Sequence, residues 1–418
     1  MGHRHGRRMT ALLPRVDENF DPMDPPDEAW PAELRLLLSY ESRGLLDAAA
    51  GAVGGRLLAW SARQVHHQPG RATTVQYRAD VERADGSQTT ETIVAVTGDR
   101  IPAGAAVLDD GTTEVGVWVW PFDPSLPGLR SALDPAYTAN LLDDLGVGSG
   151  AVALRVRAYR PGRRAVVEVT GSRGRLFLKV VRPAVVESLH AMHRTLASQL
   201  PVPDSLGWAA GGVLVLPGLP GRTLRDVLRS SGAAVPPPAT IEALLDRLPA
   251  ELAQGAPRRS PVSAAAHHAS VIASAMPSLR AEVEDLVAQV QAQPIGEHPV
   301  VPVHGDLYEA QLLAQRGRIT GVLDVDTAGA GARIDDLANF CAHLSVLGIA
   351  SDRPRAIKRY GAALLAHAEQ RFDRADVRAR IAAGVIGLAT GPFRVQERNW
   401  PQATERRLEL ARAWIDGI

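Results

Sequence analysis

The sequence predicts an α+β protein built from two antiparallel sheets and a large helical region. Two stretches, residues 56–120 and 153–216, alternate apolar and polar residues in short runs broken by Gly and Pro turns, which is strand patterning. Beyond them the apolar spacing turns largely helical. A chain of 418 residues also exceeds what one hydrophobic core usually organises, so more than one domain is expected.

In chain order, residues 1–30 carry prolines and acids with little apolar periodicity and read as a flexible arm. Its His3 and His5 fit a tag-like tail or a metal-binding one. Residues 31–148 form the first expected domain. It opens with a helical stripe of Leu34, Leu36, Leu37, Leu38, Leu45 and Leu46, followed by strands at Arg56 to Val65, Thr73 to Glu82, Thr89 to Thr97 and Glu114 to Trp120, with Asp-Gly turns at 85–86 and 110–111. A Pro-rich turn at Asp123 to Gly128 and a helix ending near Leu145 precede a linker at Gly146 to Gly150.

Residues 149–218 supply three strands, Ala153 to Arg160, Ala165 to Thr170 and Arg175 to Val181, then a helix from Pro183 to Ser198 and two more strands near Leu206 to Ala209 and Gly212 to Leu216. Five strands with one helix between the third and fourth make the small lobe of a protein-kinase-like bilobal fold. The helical large lobe would then be residues 219–418, with short strands around 304–326. One internal echo stands out. Gln68-Pro-Gly-Arg with Thr74-Val-Gln-Tyr and Ile93-Val-Ala-Val resembles Arg160-Pro-Gly-Arg with Val166-Val-Glu-Val and Leu178-Lys-Val-Val. It reads as two similar hairpins by chance, or as a duplication whose first copy lost its chemistry.

Composition narrows the partners. There are 46 basic and 46 acidic residues and no long block of one sign, which argues against nucleic acid or an anionic membrane as the main partner and leaves small molecules. No window reaches the roughly 18 to 20 apolar residues of a membrane span. The apolar run after the basic N-terminus, Ala11 to Leu13, is too short for a secretory signal. The single cysteine, Cys341, allows no intramolecular disulfide framework and fits a reducing cytoplasm.

The chemistry concentrates in residues 304–326: His-Gly-Asp, then an amide at Gln311, a basic turn at Gln315 to Arg318, and an apolar strand ending in Asp324. Phosphoryl transfer asks a protein mainly to position two substrates and neutralise charge. Asp306, in a loop after a strand, can accept the proton of an acceptor hydroxyl, or simply cap a helix. Gln311 and Asp324 offer the oxygen ligands magnesium prefers. Arginine supplies nearly all the positive charge, and one of the two lysines is Lys179, inside the strand Arg-Leu-Phe-Leu-Lys-Val-Val, where it can hold nucleotide phosphates and pair with Glu187 on the next helix. A different class stays open, a metal hydrolase using His304, Asp306, Asp324 and Asp326, although it gives Lys179 no role.

The order Lys179, Glu187, His-Gly-Asp at 304–306, Gly-Val-Leu-Asp at 321–324 and Asp-Asp-Leu-Ala at 335–338 resembles the aminoglycoside phosphotransferase and choline kinase superfamily of small-molecule kinases, over residues 150–418. The resemblance implies an ATP- and magnesium-dependent phosphotransferase, with Asp306 as base, Asp324 on the metal and Lys179 on the phosphates. It also makes Val213 to Leu219, with Val215 and Pro217, the hinge whose backbone receives adenine, and His304 and Asp336 braces of the catalytic loop. The usual Asn of the signature is Gln311 here, as in maltokinase-like bacterial sugar kinases, which also carry an extra N-terminal domain. The turn at Pro161 to Arg164 has one glycine, so phosphate contact there would fall to Arg163 or Arg164.

Asp336 follows Asp324 by twelve positions, which leaves no room for the activation segment of a protein kinase. The expected acceptor is a hydroxyl of a small molecule: a sugar, amino sugar or aminoglycoside. Asp326, Asp335 and Glu397 would suit a cationic acceptor, and Trp400, Gln396 and Asn399 a neutral sugar. The segment Gly391 to Trp400 can line the acceptor cleft or pack as a helix-end loop. The alternative is a non-catalytic, kinase-like regulator that binds nucleotide or ligand.

Overall fold

The computed structural model describes residues 30–109, 113–148, 150–172, 174–230 and 232–417. The arm expected over residues 1–29, with His3 and His5, and the turn at 110–111 lie outside the described residues. At Trp30 the chain is already packed, its ring N–H donating to the Ala275 carbonyl at 3.0 Å.

Helices α1 (Ala32–Leu38) and α2 (Arg43–Ala52) lead into a sheet of β1 (Gly55–Gln68), β2 (Ala72–Arg83), β3 (Gln88–Thr97), β4 (Ala106–Asp109) and β5 (Glu114–Val119), in the order β1-β2-β3-β5-β4. The sequence pattern predicts four of these. The strand it misses, β4, is a short edge with Ala106 and Val107 exposed, so no apolar alternation marks it. On β3 both faces are buried. Ile93 and Ala95 pack with Leu34 and Leu37 of the helices and with Met276, Phe393 and Trp400, while Val94 and Val96 pack against the second sheet.

After α3 (Leu129–Ala132) and α4 (Pro135–Asp144), the second sheet comprises β6 (Ala153–Arg160), β7 (Arg164–Gly171), β8 (Gly174–Val181), β9 (Gly207–Ala209) and β10 (Val213–Pro217), with α5 (Pro183–Ala197) between β8 and β9. Pro183 starts α5 where its missing N–H costs nothing. The strand order is β6-β7-β8-β10-β9, so both sheets follow the same first-second-third-fifth-fourth order. The likeness noticed between two hairpins therefore extends to the whole sheet topology. Leu178 and Val180 face Val94 and Val96, closing a β-sandwich, and Lys179, on the alternate face, points to the other side.

The remaining elements are β11 (Arg222–Thr223), α6 (Leu224–Arg229), α7 (Pro238–Leu245), α8 (Pro261–Ala275), α9 (Arg280–Gln291), β12 (Val301–Val303), β13 (Leu312–Gln315), β14 (Arg318–Val322) and β15 (Gly329–Gly331). They are followed by α10 (Arg333–Ala350), α11 (Pro354–Glu369), α12 (Arg374–Ala389), α13 (Gly391–Arg394) and α14 (Trp400–Asp416). Ile334, Phe340, Ile381 and Ile386 centre the core of this helical part, and Cys341 lies in it, burial pushing its thiol up to about 12. The architecture is the α+β, protein-kinase-like bilobal fold, a five-stranded small lobe and a helical large lobe preceded by an α+β unit. No described helix is long and apolar enough to cross a membrane.

Candidate active site

The catalytic-loop sequence is held from behind. Strand β12 pairs with β15, and at its end the carboxylate of Asp336, on the first turn of α10, accepts the N–H groups of His304 (2.7 Å) and Gly305 (2.8 Å). The His304 ring donates from Nε2 to the Leu323 carbonyl at 2.9 Å, and its Nδ1 faces the Asp306 N–H at 3.4 Å. Both ring nitrogens are thus engaged inside the loop, which removes His304 from the metal-hydrolase reading. Thr327 Oγ1 donates to the His304 carbonyl (2.9 Å), and Asn339 Nδ2 to that of Leu307 (3.0 Å).

Gly305 sits at φ +79°, and a Cβ there would come within 2.6 Å of both the Thr327 carbonyl oxygen and Arg258 Nε. Gly305→Ala is therefore expected to cost about 1–3 kcal/mol of stability. Urea denaturation measures it, and a cost near zero would contradict the crowding.

Hairpin β13–β14 turns at Arg316 (φ 51°) and Gly317 (φ 75°), the two positive-φ positions of a type I′ turn. It carries Asp324 back to Gln311. Leu323 N–H donates to the Gln311 carbonyl (2.8 Å), and the Gln311 amide lies 3.4 Å from Asp324 Oδ2. Asp324 adopts left-handed backbone angles (φ 56°, ψ 44°), a conformation Asp tolerates better than most residues.

Across the cleft, Lys179 Nζ lies 2.5 Å from Asp326 Oδ1 and 3.4 Å from Asp324 Oδ1. Arg164 grips Asp324 with both guanidinium ends, at 2.6 and 2.8 Å. Burial alone would raise the Asp324 carboxyl, but Arg164 and Lys179 override it and hold it well below the usual carboxylate range. Asp306 goes the other way. Burial raises its carboxyl, nearby His304 opposes the rise, and the Asp324 charge adds to it.

The expected Lys179–Glu187 pair does not form. Glu187 is exposed on the outer side of α5, whose inner stripe is Val186, Leu189 and His193. The helix register, read from that stripe, places His193 inward, where its Nδ1 donates to the Pro203 carbonyl (2.8 Å) and its buried Nε2 has no partner among the described residues. Glu187→Gln is accordingly expected to leave nucleotide affinity within about twofold, as for an exposed charge without a partner. A tenfold loss in a nucleotide titration would restore the pair.

The hinge also shifts. Val215 is an interior strand residue, paired with Leu178 on one side and Gly207 on the other, and its carbonyl already accepts the Leu206 N–H (2.9 Å). Its carbonyl is therefore taken inside the lobe. Pro217, still paired with Leu176, ends the strand with a carbonyl but no N–H, and the Gly218 N–H donates to the Arg175 carbonyl (2.9 Å). The turn over the cleft is pinned as well. Asp123 Oδ2 accepts the Gly162 N–H (2.7 Å) and the Tyr159 hydroxyl (2.8 Å), so that glycine's N–H faces Asp123.

Among the acceptor candidates, Trp400 is buried against Phe393 and Asp335 is bound to Arg380 (2.6 Å). Glu397 lies 3.7 Å from Arg407. The residues not foreseen are Tyr308, stacked on His343 with ring centroids 4.1 Å apart, and the arginines beside Asp306.

A lysine on the third strand of a five-stranded lobe, facing a braced His-Gly-Asp loop and a strand-end aspartate, defines a kinase-like phosphotransferase. Residues 155–379 match the model of the phosphotransferase enzyme family, and the chain belongs to that family. It is an ATP-dependent small-molecule kinase by class. No curated protein sequence matches the chain.

Among solved structures, macrolide 2′-phosphotransferase MphH from Brachybacterium faecium is similar at 21% identity, over 66% of this chain and 97% of that one, with a TM-score of 0.42. A thermostable mutant of aminoglycoside phosphotransferase APH(4)-Ia is similar at 15% identity, over 67% and 97%, with a TM-score of 0.49. A choline/ethanolamine kinase family protein from Mesorhizobium loti is similar at 15% identity, over 68% and 92%, with a TM-score of 0.44.

Proposed function

We propose that the protein transfers the γ-phosphoryl group of ATP to a hydroxyl of a small molecule, with Asp306 as the base. The observation that carries this reading is the convergence of Asp306, Gln311 and Asp324, from one loop and hairpin, opposite Lys179. In the transfer, the acceptor O–H gives its proton to the Asp306 carboxylate. A new O–P bond forms as the β,γ-bridging O–P bond breaks, and ADP leaves.

The donors at Asp324 and Gln311 fit magnesium: one carboxylate and one amide 3.4 Å apart, with waters and phosphates to complete the shell. Among the described residues no group of three or more His, Cys, Asp or Glu forms an all-protein cage, and magnesium bound with nucleotide needs none. When bound, the ion would neutralise charge on the phosphates. Lys179 and Arg164 are the cations that face the phosphates from the small lobe. Gln311 would turn its amide oxygen, rather than its nitrogen, toward the ion.

We read residues 31–148 as a cap domain, 149–218 as the small lobe with the hinge, and 219–418 as the large lobe. The cap and Gln311 keep the maltokinase-like resemblance in view. An ATP-consumption screen with magnesium over sugars, sugar acids, sugar phosphates, amino sugars and aminoglycosides tests the proposal. Turnover that disappears in Asp306→Asn supports it, and nucleotide binding without turnover of any acceptor replaces it with a regulator.

A further inference from the structure

The carboxylate read as the metal ligand is already fully engaged by the protein itself. A carboxylate offers about four lone-pair positions, and four donors face Asp324: Arg164 Nη1 and Nη2 at 2.6 and 2.8 Å, Lys179 Nζ at 3.4 Å and the Gln311 amide at 3.4 Å. Arg164 makes the strongest of these contacts, a two-pronged grip that fits the planar guanidinium to both oxygens. It also spans the cleft. Arg164 opens β7 in the small lobe, fixed in register opposite Val181, whereas Asp324 follows the β13–β14 hairpin of the large lobe. With 23% and 18% of their side chains exposed, the two do not form a surface pair that water screens.

The turn before β7 offers a phosphate little else. The N–H of its one glycine, Gly162, is donated to Asp123 at 2.7 Å, and Arg164 is the donor of this turn that reaches the reaction centre. The charges there balance. Asp324 and Asp326 face Arg164 and Lys179, with Lys179 2.5 Å from Asp326 and Arg164 3.7 Å from it. A divalent cation alone can reach Asp324 only by displacing Arg164, whose remaining neighbour Asp326 is already held by Lys179. A nucleotide alone would set its phosphates against two carboxylates. Both penalties vanish in an exchange of partners, in which Asp324 turns to the ion and Arg164 to the phosphates.

We propose that Arg164 is a latch on the metal carboxylate. It holds Asp324 until magnesium and nucleotide arrive together, then passes from Asp324 to the phosphates, so that each is bound weakly without the other. This rests on the reading of Asp324 as the magnesium ligand. Such coupling is reciprocal and typically ~5–150-fold.

The test uses the full-length protein with manganese as the probe, its free ion counted by electron paramagnetic resonance. Without nucleotide, Arg164→Gln is expected to bind manganese about tenfold or more tighter than wild type, with Arg164→Lys, which keeps the charge but not the grip, in between. Affinity for AMP-PNP with magnesium should change far less, since in that step Arg164 trades one anion for another. Melting temperatures show which variants fold, and Arg164→Lys decides the matter if Arg164→Gln does not.

Manganese affinity unchanged or weakened in Arg164→Gln would overturn the proposal. So would a wild-type value in Arg164→Lys, which would reduce the effect to charge repulsion, or an equal tightening of manganese and of magnesium AMP-PNP, which would mean that Arg164 never moves to the phosphates. The failure of the kinase reading looks different: the manganese gain appears in Arg164→Gln and vanishes when Asp324→Ala is added, yet no acceptor draws phosphate from ATP.

Discussion

Replacing Asp306 with asparagine is expected to lower kcat by about 10²–10⁴-fold, the usual contribution of a positioned base, with nucleotide affinity unchanged. Asparagine keeps the size and the loop while removing the proton acceptor. In the wild type, the base form is lost as pH falls through a carboxyl value that burial has raised. The acid limb of kcat/KM should therefore lie above the ~3.9 of a free aspartate, and Asp306→Asn should lose that limb. Stability moves independently of rate. A carboxyl raised in the fold favours the folded state below its folded value and opposes it above, so at neutral pH the variant should melt no lower than the wild type. A kcat within tenfold of wild type, or a clear drop in melting temperature, would show that Asp306 is a loop-capping residue.

Asp324→Ala should abolish turnover and also weaken the fold. It removes the carboxylate between Gln311, Arg164 and Lys179 and leaves the Lys179 ammonium with Asp326 alone. Since the Asp324 and Arg164 side chains are partly exposed, the cost should be about 1–3 kcal/mol, below that of breaking a fully buried pair. The depressed Asp324 value fixes the pH window. Its contribution is fully present above the unfolded value of ~3.9 and is lost as pH falls through the folded one, so the stability gap between wild type and variant should close on acidification. Urea denaturation at pH 7 and at about pH 2.5, below the unfolded value, reads both effects. A gap that widened on acidification would contradict the ion-pair account.

Sheet elements were legible wherever alternation and turn residues coincided. The strands β6 to β8 run between Pro-Gly and Gly-containing turns, and each predicted end falls within a residue or so of the structure. Edge strand β4 was silent because Ala106, Val107 and Asp109 face water and only Leu108 packs inward. The candidate site was legible as a group because Asp306, Gln311 and Asp324 lie close together in sequence and one hairpin folds Asp324 back on Gln311. Helix α5 was legible as a helix but not by face. Glu187 satisfies a chemical expectation for Lys179, whereas Val186, Leu189 and His193, spaced three and four apart, reveal the inward side. The arginines around Asp306 were beyond the sequence. Arg160, Arg258 and Arg394 share no motif, and only packing the small lobe on the large one brings them within electrostatic reach of Asp306.

The first sheet adheres to both sides of the cleft. Val94 and Val96 seal against the small lobe, while Ile93 and Ala95 share a core with Met276, Phe393 and Trp400 of the large lobe. Two-lobed enzymes commonly open to release product, and that step often limits their speed. Here a change of angle between the lobes must slide one of two close-packed apolar seams, and packed interfaces shift between discrete arrangements instead of deforming smoothly. The first sheet, which supplies none of Lys179, Asp306, Gln311 or Asp324, would thus act as a brake across the jaws, because any parting of the lobes has to slide one of the two cores it shares.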